Sequence, residues 1–377
     1  MNSPRIALTA CTVAIAAIAA LTGTAGAAPA PRAAACGGTI AVATVAKSGL
    51  DGAANQAKWA SLAVANENAQ YGTTFKVVVK NGFNTAASAK SIAKSIAADS
   101  SIIGMVGYQT STATAAGGPL LSKAGLAYVT ASATRTSLAD GSLPGFYRVV
   151  ASDALQGPAI ARYVQKDLKG ANVVIVQQSD TYSVDLAASV AKSLTNRGVA
   201  NTRISVGTGT DNYAADVAKI GADVDVVVLP FVNAPQAEVF AAALTAAGRT
   251  PKLVGGDALF GSSFDVPGAT VATFLGDMTR NAYGRKVAAT YEAKYGTLDQ
   301  SGAGAYTAAR AVMAAGRAAC NADGTATREG VASAMPRVEL ATSIFGTPIA
   351  FQRNGNVKGG VIHFWRVLPN GTFDFVC

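Results

Sequence analysis

Histidine occurs once in this chain of 377 residues, and charged side chains make up only 14% of it. A single imidazole, His363, cannot build a histidine-based zinc site and leaves little from which to assemble a Ser-His-Asp triad. It sits in a C-terminal alternating segment and reads as a sheet-face residue. The chain also lacks a G-x-x-x-x-G-K-[ST] phosphate loop, a G-x-S-x-G elbow and a C-x-x-C pair, which removes the signatures of P-loop, hydrolase and dithiol chemistry. The first β-like run ends in V-A-K-S-G-L-D-G rather than G-x-G-x-x-G, so a dinucleotide site is not expected. These absences together point away from an enzyme, a cofactor or a bound metal.

Runs of basic residues are missing too. The formal charge is +9, but the 31 lysines and arginines are scattered and no aromatics interleave with them in a stacking pattern. That is a basic solvated surface rather than a nucleic-acid face. Charge is too sparse for a coiled coil, and the composition is too apolar for disorder.

Long apolar runs are lacking except at the start. There, M-N-S-P-R carries one positive charge, an uncharged stretch follows from Ile6 to Thr22, and T-A-G-A-A-P-A places small residues at Ala25 and Ala27. This is the order of a secretory signal peptide, expected to span 1–27 and to be cleaved after Ala27. The mature protein is then expected outside the cytoplasm. Cys11 leaves with the signal, and Cys36, Cys320 and Cys377 remain, an odd number for an oxidising compartment. Either one disulfide forms and one thiol stays free, or A-A-A-C at 33–36 is a lipoprotein-like box with Cys36 acylated and Cys320 bonded to Cys377. Arg32 interrupts the apolar run that such a box normally follows.

What is present is an alternation of short V/I-rich runs with helix-like segments. T-I-A-V-A-T-V (39–45), T-F-K-V-V-V-K (74–80), I-I-G-M-V-G (102–107), L-A-Y-V-T-A (126–131) and G-F-Y-R-V-V (145–150) form a first series. V-V-I-V (173–176), V-D-V-V-V-L-P (224–230) and K-L-V-G-G-D (252–257) belong to a second. Continuous apolar runs suit strands buried on both faces, and the alternation implies parallel sheets with right-handed crossovers. The fold class is therefore α/β, with two doubly wound parallel-sheet lobes. At the C-terminus, alternating residues flank Asn370-Gly371, a hairpin signal.

In open α/β sheets, ligands bind beyond the carboxyl ends of the strands. Those positions hold Thr110, Ser111, Thr112 and Thr114 after the third strand, and Ser132, Thr134, Arg135 and Thr136 after the fourth. In the second series they hold Ser179, Asp180 and Tyr182, then Phe231 and Asn233, then Asp257. Hydroxyls beside the free N–H groups of a helix start make a site for a small anion, and a carboxylate elsewhere could receive a cation. Together they suit a zwitterion, although each residue taken singly could be a helix cap.

The ordered segments G-Y-Q-T-S-T-A-T, P-L-L-S-K-A-G-L-A-Y-V-T-A-S-A-T, F-Y-R-V-V-A-S-D-A-L-Q-G-P-A-I-A-R-Y, V-V-I-V-Q-Q-S-D-T-Y-S and L-V-G-G-D resemble the type I periplasmic solute-binding proteins of ABC importers, in the leucine/isoleucine/valine-binding branch. The resemblance covers nearly all of the mature chain. It implies two α/β lobes joined by three crossovers near 151, 281 and 359–360, with 37–151 and 282–359 in lobe 1 and 152–281 and 360–377 in lobe 2. It implies a monomeric, non-enzymatic receptor that closes on a small amino acid or related carboxylate and delivers it to ABC permease membrane subunits. A sensor of the same fold acting on a signalling partner, or a binder of aromatic acids, amides or urea, is the alternative.

Carried over residue by residue, Ser111 and Thr134 resemble the hydroxyls that bind an α-carboxylate, with Thr110 beside them. Ser132 falls where a backbone carbonyl meets the ammonium, Tyr182 resembles the tyrosine that covers the ligand, and Asp257 the acidic partner of the ammonium. Phe231 and Asn233 stand where a Gly-rich turn is usual, Ser183 follows Tyr182 where a glycine is common, and K-S-G-L-D-G-A-A-N lacks the usual Pro-Leu-Thr-Gly run. These positions shape the side-chain pocket. The implied topology puts Cys36, before the first strand, near Cys320, at the end of a first-lobe helix, and so pairs them.

Overall fold

The computed structural model describes residues 35–377 except 46–50, 84, 208, 210 and 262–263. The expected signal peptide, Cys11, Arg32 and the loop after the first strand lie outside the described residues.

The first sheet is wholly parallel. Strands β1 (Thr39–Val45), β2 (Lys76–Gly82), β3 (Ile102–Val106), β4 (Ala127–Thr130) and β5 (Phe146–Arg148) lie in the order β2-β1-β3-β4-β5. Every residue of β3 is buried, as the uninterrupted run I-I-G-M-V requires of a strand covered on both faces. The edge strand β2 is partly exposed along its length.

The second sheet repeats that winding. Strands β6 (Asn172–Gln177), β7 (Ala200–Ser205), β8 (Val226–Leu229), β9 (Lys252–Gly255) and β10 (Thr270–Thr273) run parallel, in the order β10-β9-β8-β6-β7. A short antiparallel pair, β11 (Glu339–Leu340) and β12 (Ile349–Ala350), stands apart. The chain then closes with β13 (His363–Val367) and β14 (Phe373–Phe375), an antiparallel hairpin whose first strand joins the second sheet beside β10. Gly371 turns that hairpin at φ 74°, a conformation glycine adopts without strain. His363 lies half-buried on β13 with its ring against Phe375, and burial lowers its basicity.

Ten helices cover the sheets among the described residues: α1 (Asp51–Tyr71), α2 (Ala86–Ala98), α3 (Ser111–Lys123), α4 (Asp153–Lys166), α5 (Thr181–Asn196), α6 (Ala214–Val217), α7 (Ala234–Ala246), α8 (Ala282–Tyr295), α9 (Gly304–Ala318) and α10 (Arg328–Ala334). Although α8 to α10 follow the parallel strands of the second sheet in sequence, they pack with the first sheet and its helix α1. Trp59 of α1 stacks on Tyr291 of α8 at 4.1 Å between ring centroids, and its indole N–H donates to the Asp299 carbonyl at 2.9 Å. Glu67 of α1 receives Arg310 at 2.8 Å and Arg317 at 2.9 Å from α9. Taking one carboxylate out of water beside two guanidinium groups is tolerable because each charge keeps a hydrogen-bonded partner.

Cys36 and Cys320 form a disulfide with their Cα atoms 5.9 Å apart, and Cys377 is a free, exposed thiol. No helix among the described residues is long and apolar enough to cross a membrane.

Candidate functional site

In both sheets the strand order reverses once, between β1 and β3 and between β6 and β8. Loops leaving the carboxyl ends of strands diverge at such a reversal and open a crevice. The two crevices face one another across a cavity of about 70 Å³.

The first lobe supplies a hydroxyl wall. Thr110 caps α3, its side-chain oxygen accepting from the Ala113 N–H at 3.2 Å. Ser111, the first residue of that helix, is 2% exposed and lines the cavity. Its Oγ accepts from the Arg135 N–H at 3.2 Å, which leaves its own O–H free to donate. Ser132, beyond β4, donates to the Gln109 carbonyl at 2.7 Å and accepts from the Gln56 side-chain amide at 2.8 Å. Gln56 and Gln109 both line the cavity.

The second lobe supplies an acid and a ring. Asp180 caps α5 by accepting from the Tyr182 and Ser183 N–H groups, each at 3.0 Å, and so holds Tyr182 in the first turn. Tyr182 donates its hydroxyl to Asp257 at 3.0 Å. A Cβ on Gly256 would collide with that hydroxyl, so the glycine just after β9 lets the ring pass. Burial pushes the Asp257 carboxyl up to about 6, against the opposing hydrogen bond from Tyr182. Behind it, Asp153 is fully buried, and desolvation together with the Asp257 charge raises it well above the ordinary carboxylate range. Val232, Phe260, Phe274 and Leu275 complete an apolar side of the cavity.

The structure therefore brings Thr110, Ser111, Ser132, Tyr182 and Asp257 to one cavity, and does not bring Thr134, Phe231 or Asn233 to its wall. Thr134 is fully buried. Its carbonyl is drawn inward with its neighbours by Arg148, which donates to the carbonyls of Thr134 at 2.9 Å and Arg135 at 2.8 Å and to Asn356 Oδ1 at 2.6 Å. Phe231 points into the second-lobe core, 5.9 Å from the Phe240 ring and 6.2 Å from that of Tyr213. Successive residues leaving a strand face opposite ways, and the outward place falls to Val232. Asn233 caps α7, accepting from the Gln236 N–H at 3.2 Å.

Sequence reasoning missed Gln56, Gln109 and the apolar side altogether. It also missed Arg148, whose signal was a single charge inside the otherwise apolar F-Y-R-V-V. That guanidinium is fully buried, and desolvation pulls it down to about 10.

The two lobes touch beside the cavity. The hydroxyls of Thr112 and Thr181 meet at 3.1 Å, and the Thr136 N–H donates to Asp185 at 3.0 Å. Among the described residues no group of three or more His, Cys, Asp or Glu is placed to hold a metal ion.

A family model of periplasmic binding proteins matches residues 13–368. A curated relative, the Leu/Ile/Val-binding protein BraC3 of Rhizobium johnstonii, is 26% identical over 182 residues, 46% of this chain and 49% of that protein. The match thus spans about half the length of that relative. Among solved structures, the branched-chain amino acid substrate-binding protein LivJ of Streptococcus pneumoniae in complex with isoleucine superposes with a TM-score of 0.78 at 23% identity, covering 90% of this chain and 99% of that one. The leucine-binding protein LivK of Thermotoga maritima gives a TM-score of 0.78 at 21% identity, covering 90% and 97%. A solute-binding protein of R. palustris in complex with benzoate gives 0.75 at 16%, covering 90% and 95%.

Proposed function

Because the chain belongs to the periplasmic binding protein family, we propose that it is an extracytoplasmic receptor of an ABC importer, closing two lobes on a small amino acid or related carboxylate. The observation that carries this reading is the opposition, across one cavity, of the Ser111 hydroxyl at the start of α3 and the Asp257–Tyr182 pair. The helix start presents N–H groups and a positive dipole end to a carboxylate. Asp257, once ionised, receives an ammonium, and Ser132 offers its backbone carbonyl beside it. The ligands of two structural neighbours, isoleucine and benzoate, share a carboxylate, which supports assigning that group to the hydroxyl wall.

In this reading residues 1–27 are the export signal. Residues 37–151 and 282–359 make one lobe, and 152–281 and 360–377 the other. The mature chain works as a monomer, without turnover of its ligand, and its closed form docks on permease subunits in the membrane. Closure is favoured because a ligand touching both walls interacts with both lobes only in the closed state.

The test is calorimetric titration of amino acids into ligand-stripped protein and two variants. Asp257→Ala is expected to abolish binding of a zwitterion while leaving the fold intact. Ser111→Ala is expected to weaken binding by about 1–3 kcal/mol, the cost of removing one partner of a charge-assisted hydrogen bond. Unchanged affinity in Asp257→Ala contradicts the ammonium assignment. Benzoate in one structural neighbour and the apolar side at Phe260 and Phe274 favour a second reading, an aromatic acid. Binding of benzoate that is indifferent to Asp257→Ala would select it.

A further inference from the structure

Gln109 sits on the cavity wall with 5% of its surface exposed, and neither its side-chain oxygen nor its nitrogen has a protein partner. Gln56, 2% exposed on the same wall, spends its N–H on Ser132 and leaves its oxygen unpartnered. The great majority of buried side-chain polar atoms in folded proteins are hydrogen-bonded. Three buried, unmatched amide atoms on two residues that line one cavity therefore point to a ligand that matches them. Both amide atoms of Gln109 lack a partner, so turning that amide over changes nothing.

We infer that Gln109, with Gln56, forms a specificity subsite for an uncharged group that both donates and accepts hydrogen bonds, so that the ligand is a short hydroxyl- or amide-bearing amino acid rather than an aliphatic one. The inference rests on the amino-acid reading above and narrows it. An ammonium could satisfy only the Gln109 oxygen and a carboxylate only its nitrogen. A hydroxyl accepts from the Gln109 nitrogen and donates to one of the two glutamine oxygens, and a carboxamide, with two N–H donors and an acceptor oxygen, matches all three atoms. A methyl group in the same place would leave all three atoms buried and unpaired, and a site built to hydrogen-bond its ligand rejects such an analogue strongly. The cavity is small, about 70 Å³, which suits a compact ligand.

The experiment compares near-isosteric pairs by calorimetry on the ligand-stripped protein: threonine against valine, and asparagine against leucine. Threonine and asparagine are expected to bind at least about tenfold more tightly than their partners. Gln109→Leu is expected to collapse or invert those ratios while the melting temperature of the unliganded protein stays within a few degrees. Valine binding as tightly as threonine, or ratios untouched by Gln109→Leu, overturns the subsite. The wild-type ratios alone decide the matter if the variant does not fold. Propionamide and urea, which lack the α-carboxylate and ammonium, separate the two readings. If amino acids fail and an amide binds in a Gln109-dependent way, the subsite stands and the amino-acid reading falls. If neither pair nor amide binds, the subsite is overturned.

Discussion

Asp257 carries the most exposed part of the account to experiment, because its ionisation is set by where it sits. Burial raises its carboxyl from 3.8 to about 6, and an ammonium binds only the ionised form. Affinity for a zwitterion is therefore expected to be flat above about pH 7 and to fall roughly tenfold per unit below about pH 6. A dissociation constant unchanged between those ranges, followed by calorimetry, would contradict it. In the unliganded protein the sign reverses. Between 3.8 and about 6 the native acid holds a proton that the unfolded chain has released, so this group makes the fold less stable as pH rises through that window. Arg148 tests a different idea, that one buried guanidinium arranges the loop bearing Ser132. Arg148→Met takes one donor from each of the Thr134 and Arg135 carbonyls, which keep only the Asp153 and Leu138 N–H groups, and strips Asn356 Oδ1 of its guanidinium partner; it is expected to cost roughly 2–4 kcal/mol in denaturant unfolding. Of the residues lining the cavity, Ser111, Tyr182 and Asp257 were legible from their place after V/I-rich strands. Phe231 was misplaced because the side it faces turns on a one-residue register that composition does not reveal. Gln109 was passed over because a glutamine beside a hydroxyl run carries no signal until burial leaves its amide without partners.

Elements were easiest to read where both faces are covered. β3 and β8 are entirely buried and appear in the sequence as unbroken apolar runs. β7, with the polar sequence A-N-T-R-I-S, is an edge strand with much of its length exposed and left no such run. β10 is as short and as buried as β8, but its sequence T-V-A-T puts threonine at both ends and leaves no apolar run. The packing of α8 and α9 against α1 uses Trp59, Tyr291 and the Glu67–Arg310 pair, contacts across more than two hundred positions that periodicity cannot anticipate. The contacts between α3 and α5 and between Thr136 and Asp185 hold the lobes together beside the cavity. Asp185→Ala is expected to shift the open–closed balance toward open and weaken ligand binding a few-fold, roughly the effect of one exposed hydrogen bond. Small-angle scattering of the unliganded variant should report a larger radius than wild type; an unchanged radius and affinity would contradict that role.

For the whole molecule, a resemblance spread over several ordered segments specified the two-lobed architecture better than any single motif did. The disulfide between Cys36 and Cys320 spans 284 positions and ties the start of the first sheet to the residues just beyond α9. Its reduction is expected to lower unfolding stability by about 2–4 kcal/mol; in oxidised protein expressed without residues 1–27, one thiol, Cys377, is expected to be labelled by maleimide.

The central claim is that the cavity between the lobes binds a small carboxylate-bearing solute, and a thermal-shift screen of the mature, refolded protein tests it most directly. A ligand that binds only the folded state stabilises it by RT ln(1 + [L]/Kd), about 2.7 kcal/mol at a hundredfold excess over Kd. Short polar amino acids are expected to raise the melting temperature in wild type and to lose that effect in Asp257→Ala. No shift from any amino acid, aromatic acid, amide or urea would contradict the receptor account.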